Sequence, residues 1–345
     1  MKKYLINGKF LSQRITGVQR FAIEIIKELD EIIEEGKIIL LVSSKLTTQL
    51  KLKKIKVISL NQDSSSVVWT QIIVPFMAIK EKAIPLTLSG LYPLFYPGVA
   101  TIHDITPMKH RESYKRIFYL SHDFIYRISI KRLKHIFTVS EFSKKEISDY
   151  YHVPLKKISV VYNASGFSIN KAVSTDILFR NGIDKNRYIL SVGSLHSHKN
   201  PQFMFELSQK YTDMKFVVVG GTTDEIFETI EKKNNRNLIY IGYISDDELI
   251  ELYRNAIGFV LPSLYEGFGI PALEAIQLGI KHIAVSDIPV FRELYGEGVY
   301  FFNPYDIREF DMSTFLDMEI NAEQRNKYMS KYSWSSSTRR MINEL

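Results

Sequence analysis

Two glutamates, Glu266 and Glu274, lie in the stretch PSLYEGFGIPALE at residues 262–274. The stretch follows an apolar run at residues 256–261 that reads as a buried strand. It then enters an expected helix at residues 271–278, with Pro271 in the first turn, where a missing N–H costs nothing. Gly267 and Gly269 permit a tight turn or a close approach of backbone to a ligand. In an open α/β sheet ligands bind beyond the carboxyl ends of the strands, so this loop is where an active site is expected. Taken alone, the same residues also fit a plain loop, a helix cap and one solvent-facing acid.

Other polar groups fall at comparable points. His103-Asp104 follows directly on an apolar run beginning at Val99, again at a strand's carboxyl end; a histidine bonded to backbone is the structural alternative. Lys199 precedes an expected helix from Pro201, where an ammonium and a helix dipole together favour a diphosphate; a surface lysine is the alternative. The turns at Gly193 and Gly220-Gly221 each follow a strand and precede a helix, so their N–H groups can face an anion. Gly17 lets the start of a helix at residues 18–29 approach a ligand. Tyr92, Phe95 and Tyr96 sit in a Gly/Pro/aromatic loop and are either acceptor-cleft walls or core aromatics.

The elements that carry these residues alternate strand and helix. Short apolar strands are expected at residues 4–6, 38–42, 57–60, 135–140 and 158–162, then at 188–193, 215–219, 238–241, 258–261 and 282–286. Between them come helices, including residues 67–80, interrupted or bounded by Pro75, residues 113–131, a helix capped by Ser143 with Glu146 or by Ser140, and residues 225–232. Residues 170–187 are polar and weakly periodic, with a linker at residues 170–174. The pattern implies two parallel-sheet, Rossmann-like domains. The expected division is residues 1–170, residues 171–325, and a closing helix at residues 326–345 that crosses back to the first domain. A chain of 345 residues exceeds the usual size of one core, which agrees.

Composition removes several functions. The absence of Cys excludes disulfides and thiolate catalysis. No GxGxxG, Walker A, HExxH, GxSxG or clustered metal-ligand spacing is present, so no protein-bound metal or other cofactor is expected. No apolar run approaches the ~18 residues of a membrane span. The net charge of +7 suits nucleic acid, anionic lipid or phosphorylated substrates. Lys51, Lys53, Lys54 and Lys56 form either a solvated edge or an anionic contact. The basic, amphipathic stretch at residues 113–131 suits either an anionic membrane surface or an ordinary surface helix.

The set resembles the retaining GT-B glycosyltransferases of family 4, which use nucleotide-diphosphate sugars. Glu266 and Glu274 stand in that family's E-x7-E arrangement, His103-Asp104 matches its HD, and VSEFSKKE at residues 139–146 matches a further segment. Residues 193–200 resemble the donor-phosphate loop, and the likeness extends to Trp334. Two positions depart from the pattern: His198 stands where the family commonly has Arg, and Ala-Ser-Gly follows Asn163.

The resemblance implies an α/β GT-B fold, two Rossmann-like domains facing across a cleft. Glu274 would bind the nucleotide ribose, Glu266 the transferred sugar and Lys199 the departing diphosphate. Gly193, His198, Gly17 and the backbone of Gly267, Phe268, Gly269 and Ile270 would complete the donor site. His103 would orient the sugar or the acceptor hydroxyl, with Asp104, Arg20 and Tyr92 toward the acceptor. The implied reaction moves a hexose or deoxyhexose from a nucleotide sugar to a glycan or lipid-linked glycan. Its place would be cytoplasmic, at the inner face of the membrane, in contact with anionic lipid and without nucleic acid. A sugar-nucleotide epimerase, a glycan phosphorylase or a non-catalytic sugar-binding protein of the same fold are the alternatives.

Overall fold

Two all-parallel sheets organise the chain, in a computed structural model that describes residues 2–61, 64–221 and 236–345. The chain divides into two compact units, Met1–Ala164 with Tyr332–Leu345, and Ser165–Lys331.

The first unit holds β1 (Tyr4–Asn7), β2 (Ile38–Ser43), β3 (Lys56–Leu60), β4 (Ile84–Thr87), β5 (Val99–Thr101), β6 (His135–Thr138) and β7 (Ile158–Val160), in the order β3-β2-β1-β4-β5-β6-β7. Every residue of β1, β2 and β4 is buried, as a parallel strand covered on both faces requires. Helix Gly17–Ile32 follows β1 and buries Phe21, Ile25 and Leu29 on one face. Its N-terminus is closed by a reciprocal box in which the Thr16 N–H donates to Gln19 Oε1 at 3.1 Å.

The β3-to-β4 crossover corrects one expectation. Pro75 does not interrupt the helix there: Ser66–Val68, Trp69–Ile73 and Val74–Lys80 run on without a break, the middle segment as a π turn. A widened turn just before the proline accommodates the missing N–H and the ring. Trp69 Nε1 donates to Asn7 Oδ1 at 2.9 Å, which ties this helix to the end of β1.

The lysine cluster also finds a use within the fold. The buried Asp30 carboxylate accepts the backbone N–H groups of Lys53 (2.6 Å), Lys54 (2.9 Å) and Ile55 (2.8 Å), fastening the segment before β3 to helix Gly17–Ile32. Lys53 and Lys56 pair with Glu31 and Glu81. Farther on, Ser140 rather than Ser143 caps helix Glu141–Tyr151, accepting the Ser143 N–H at 3.0 Å. Ser143 is itself inside the helix and buried. The closing helix, Trp334–Glu344, packs on helix Gly17–Ile32, with the Trp334 and Phe21 rings 6.0 Å apart, edge to face. Ser337 Oγ donates to the Tyr162 carbonyl at 2.6 Å.

The second unit holds β8 (Tyr188–Val192), β9 (Lys215–Val219), β10 (Leu238–Ile241), β11 (Gly258–Leu261), β12 (His282–Ser286) and β13 (Val299–Phe302), in the order β10-β9-β8-β11-β12-β13. An aromatic core of Phe203, Phe216, Phe302, Phe310 and Phe315 packs against one face. Strand β13 adds an edge that the sequence reading leaves without an element. The helix expected at residues 225–232 lies outside the described residues.

Candidate active site

In the second unit the strand order reverses at β8, which has β9 on one side and β11 on the other. Loops leaving adjacent strands on either side of such a reversal part, and the crevice between them takes a ligand. The loops after β8 and β11 are the two stretches that carry Lys199 and Glu266. Gly193, Ser194, Lys199, Pro262 and Ser263 line a pocket there.

Glycine makes this approach possible at Gly220. A Cβ there would stand 1.8 Å from the Gly193 carbonyl oxygen, so the exits of β8 and β9 meet only because it is absent. Gly269 is required twice over. It holds φ +85° as the cap of helix Ile270–Gln277, and a Cβ on it would lie 2.5 Å from the Phe291 ring. The helix therefore begins abruptly at Ile270; Pro271 has no N–H and the Ala272 N–H donates to the Gly269 carbonyl at 3.2 Å, which leaves the Ile270 N–H as the first-turn donor without an intrahelical acceptor.

The acids are held differently. Glu266 is 9% exposed, and its Oε1 accepts both Lys199 Nζ at 2.6 Å and Ser263 Oγ at 2.9 Å. Oε1 is thus occupied twice, while among the described residues Oε2 accepts no hydrogen bond and the ammonium uses one of its three donors. Glu274 lies on the buried face of helix Ile270–Gln277, 5% exposed, and accepts Tyr253 Oη at 3.1 Å. The sequence reading gives Ser263 and Tyr253 no role. Tyr253 lies on another helix, Asp246–Asn255, so no local spacing announces it.

Asn200, in the left-handed conformation, turns the chain from Lys199 into helix Pro201–Lys210. His198, which stands where the family commonly has Arg, is buried. Its carbonyl accepts the Leu264 N–H at 2.8 Å and ties the β8 loop to the β11 loop. The His196 ring stacks beside it at 5.7 Å, and burial, reinforced by the Lys199 charge, lowers the His196 pKa. Phe268 is buried under the loop.

In the first unit, His103 and Asp104 follow β5. His103 Nε2 lies 3.1 Å from the Leu88 carbonyl, a contact that requires the proton on Nε2. Burial lowers its pKa against the opposing effects of that carbonyl and of Asp104. The ring is therefore neutral near pH 7, with Nδ1 as a hydrogen-bond acceptor. Phe21 meets the ring edge to face at 4.8 Å, which brings the first turns of helix Gly17–Ile32 alongside His103. Gly17, exposed, and Arg20, half-buried, belong to these turns. Asp104 Oδ1 accepts the Thr106 N–H at 2.8 Å and opens the next helical turn. Tyr92 corrects an expectation: it is fully buried and stacks on Tyr126 at 5.4 Å, so it is a core aromatic and not a cleft wall.

Comparison with known proteins agrees with this architecture. Residues 173–332 match the family described as glycosyl transferases group 1, and residues 83–164 match glycosyltransferase family 4. The chain is 30% identical over 262 residues to the O-antigen chain mannosyltransferase RfbU of Salmonella typhimurium, covering 74% of this chain and 71% of that protein. It is 26% identical over 268 residues to the O-antigen chain mannosyltransferase B of Escherichia coli, covering 71% and 69%. Among solved structures it superposes on sucrose-phosphate synthase from Thermosynechococcus elongatus (TM-score 0.72, 12% identity, covering 99% and 98%). It also superposes on Anabaena HepE in complex with UDP and glucose (TM-score 0.69, 14% identity, covering 99% of each chain). Fold and relatives define a two-domain GT-B enzyme. The chain belongs to the GT-B glycosyltransferases and is a transferase.

Proposed function

We propose that this transferase moves a hexose, with mannose as the first candidate, from a nucleotide-diphosphate sugar to a growing glycan or lipid-linked glycan, with retention of anomeric configuration. The observation that carries the reading is Glu266: one carboxylate oxygen is fixed by Lys199 and Ser263 while, among the described residues, no donor is bonded to the other. A carboxylate held in this way suits paired hydroxyls of a sugar. The recurrence of mannosyl transfer in the names of the two bacterial relatives supports the choice of sugar.

In this reading the sugar C1–O bond to the diphosphate breaks and a bond from the acceptor oxygen to C1 forms on the same face. The acceptor proton goes to the departing phosphate oxygen. Lys199 directs its remaining N–H donors to the diphosphate as negative charge develops on it. The N–H of Ile270, together with the backbone of Gly267, Phe268 and Gly269, serves the phosphate or the sugar. Glu274, oriented by Tyr253, accepts from the ribose hydroxyls. Neutral His103 accepts a hydrogen bond from a hydroxyl at Nδ1, and Gly17 and Arg20 lie beside it for the diphosphate or an anionic acceptor. The work site is the cytoplasmic face of a membrane, met from its surface. Among the described residues no helix is long and apolar enough to cross one.

The test is thermal stabilisation of the full chain by GDP-, UDP- and dTDP-sugars, which reports binding to the folded state. One donor class, GDP-mannose first, is expected to raise the midpoint, and Glu266→Gln to remove the sugar-dependent part of that rise. A midpoint unmoved by every nucleotide sugar would overturn the reading. The anomeric configuration of the isolated product decides retention.

A further inference from the structure

Large apolar side chains on the surface of the first unit are concentrated rather than scattered. On the β3-to-β4 helix, Val68, Ile72, Phe76 (64% exposed) and Ile79 form an outward stripe. On helix Arg116–Ser129, Ile117, Leu120, Phe124 (59% exposed) and Ile128 form a second. Spacings of three and four residues keep each set on one helix face.

The two stripes share one side of the sheet. The crossover from β3 to β4 and that from β5 to β6 both step in the same direction along the strand order. Right-handed crossovers therefore lay both helices on the same face. The loop between β4 and β5 joins them. Gln71 bonds the Tyr92 carbonyl (3.2 Å) and the Leu94 N–H (2.8 Å), while Arg132 bonds the Phe95 carbonyl at 3.0 Å. The Phe95 side chain, 79% exposed, stands out from that bridge.

Charge follows the same face. Residues 66–82 and 109–134 contain ten Lys or Arg against three acids, a net +7 equal to the formal net charge of all 345 residues. All ten cations are exposed. Lys115 and Arg116 open one helix, Lys131, Arg132 and Lys134 close it, and Lys80 and Lys82 close the other.

We propose that this face is a docking surface for an anionic lipid bilayer, into whose interface Phe76, Phe95, Ile117 and Phe124 insert while the surrounding cations meet the headgroups. An apolar stripe ringed by Lys and Arg is the composition that lies in a membrane interface. A second copy of the chain is the poorer occupant: Arg127 pairs with Asp123 and Lys109 with Glu146, but the two segments keep a net positive charge that a two-fold contact would set against itself. The inference deepens the reading of a surface-bound enzyme given above, and it does not depend on the identity of the donor.

The experiment is cosedimentation of the full chain with vesicles of equal parts phosphatidylglycerol and phosphatidylcholine, and with phosphatidylcholine alone. Binding is expected to the anionic vesicles and to fall with salt. The double variants Phe76→Ser with Phe124→Ser, and Lys115→Glu with Arg116→Glu, are each expected to weaken it by about tenfold or more. Stabilisation by nucleotide sugar reports the second unit and is expected to stay at the wild-type level in both, so a failure there separates misfolding or a wrong donor from a wrong face. Wild-type protein that stays in the supernatant, or variants that sediment like wild type, would overturn the proposal. So would equal binding to both vesicle types. A wild-type dimer that the apolar variant dissolves, without vesicle binding, would overturn it in favour of a contact between copies.

Discussion

Lys199 and Glu266 form a close pair at 2.6 Å in a half-buried setting, and each has bonding capacity left over. In the proposed reaction the lysine both anchors the sugar-side carboxylate and donates to the leaving diphosphate. Lys199→Ala is expected to lower turnover by roughly 100- to 1000-fold, the typical effect of removing one donor to a developing negative charge. Steady-state rates with saturating donor read this, and an effect confined to KM would place the lysine in ground-state binding only. Gly269→Ala belongs to the same scale. A methyl group that meets Phe291 at 2.5 Å, on a backbone at φ +85°, is expected to destabilise the second unit by roughly 1–3 kcal/mol. Urea unfolding measures it. Both residues were legible in sequence because they sit in short loops between a strand and a helix. Their supports, Ser263 Oγ and Tyr253 Oη, were not: a hydroxyl acquires its role only from the carboxylate that the fold sets beside it.

Elements are joined here by a few buried polar groups. Asp30 collects three backbone N–H groups from the segment leading into β3. Burial alone would raise its pKa, but those bonds outweigh burial and hold the carboxyl below its ordinary value. Asp30→Ala strands the donors at a buried site and is expected to cost on the order of 3 kcal/mol, measured as a lower urea midpoint. The lysines of this segment were conspicuous in sequence, yet the backbone between them is what the fold uses. The Pro75 helix teaches the reverse lesson. Local rules end a helix before proline, while tertiary packing of Trp69 against Asn7 keeps it going through a π turn.

At the scale of the whole molecule, partly buried histidines weaken the fold in acid. Desolvation is the leading cause that lowers the pKa values of His103, His122 and His135 from an ordinary value of 6.5. In the unfolded chain these rings protonate as pH falls through 6.5, whereas in the folded chain they resist until lower pH. The stability they permit is therefore full above 6.5 and is lost progressively below it. The melting midpoint is expected to fall between pH 7 and pH 5, and His103→Gln to flatten that slope. A midpoint that is level across this range would show that the buried rings titrate normally.

Sequence by itself determined the class of fold, because parallel strands buried on both faces are continuous apolar runs and the loops after them concentrate Gly, Pro and polar residues. It also located Glu266, Glu274, His103 and Lys199, since each stands at a strand end or on the helix that follows one. Only the tertiary structure decided which of the flagged side chains are available. Tyr92 turned inward because burial depends on what lies across the sheet and not on neighbours in the chain. The same dependence gathered Phe76, Phe95 and Phe124 onto one face: crossovers of one hand carry separate segments to the same side of a sheet, and no local pattern records that.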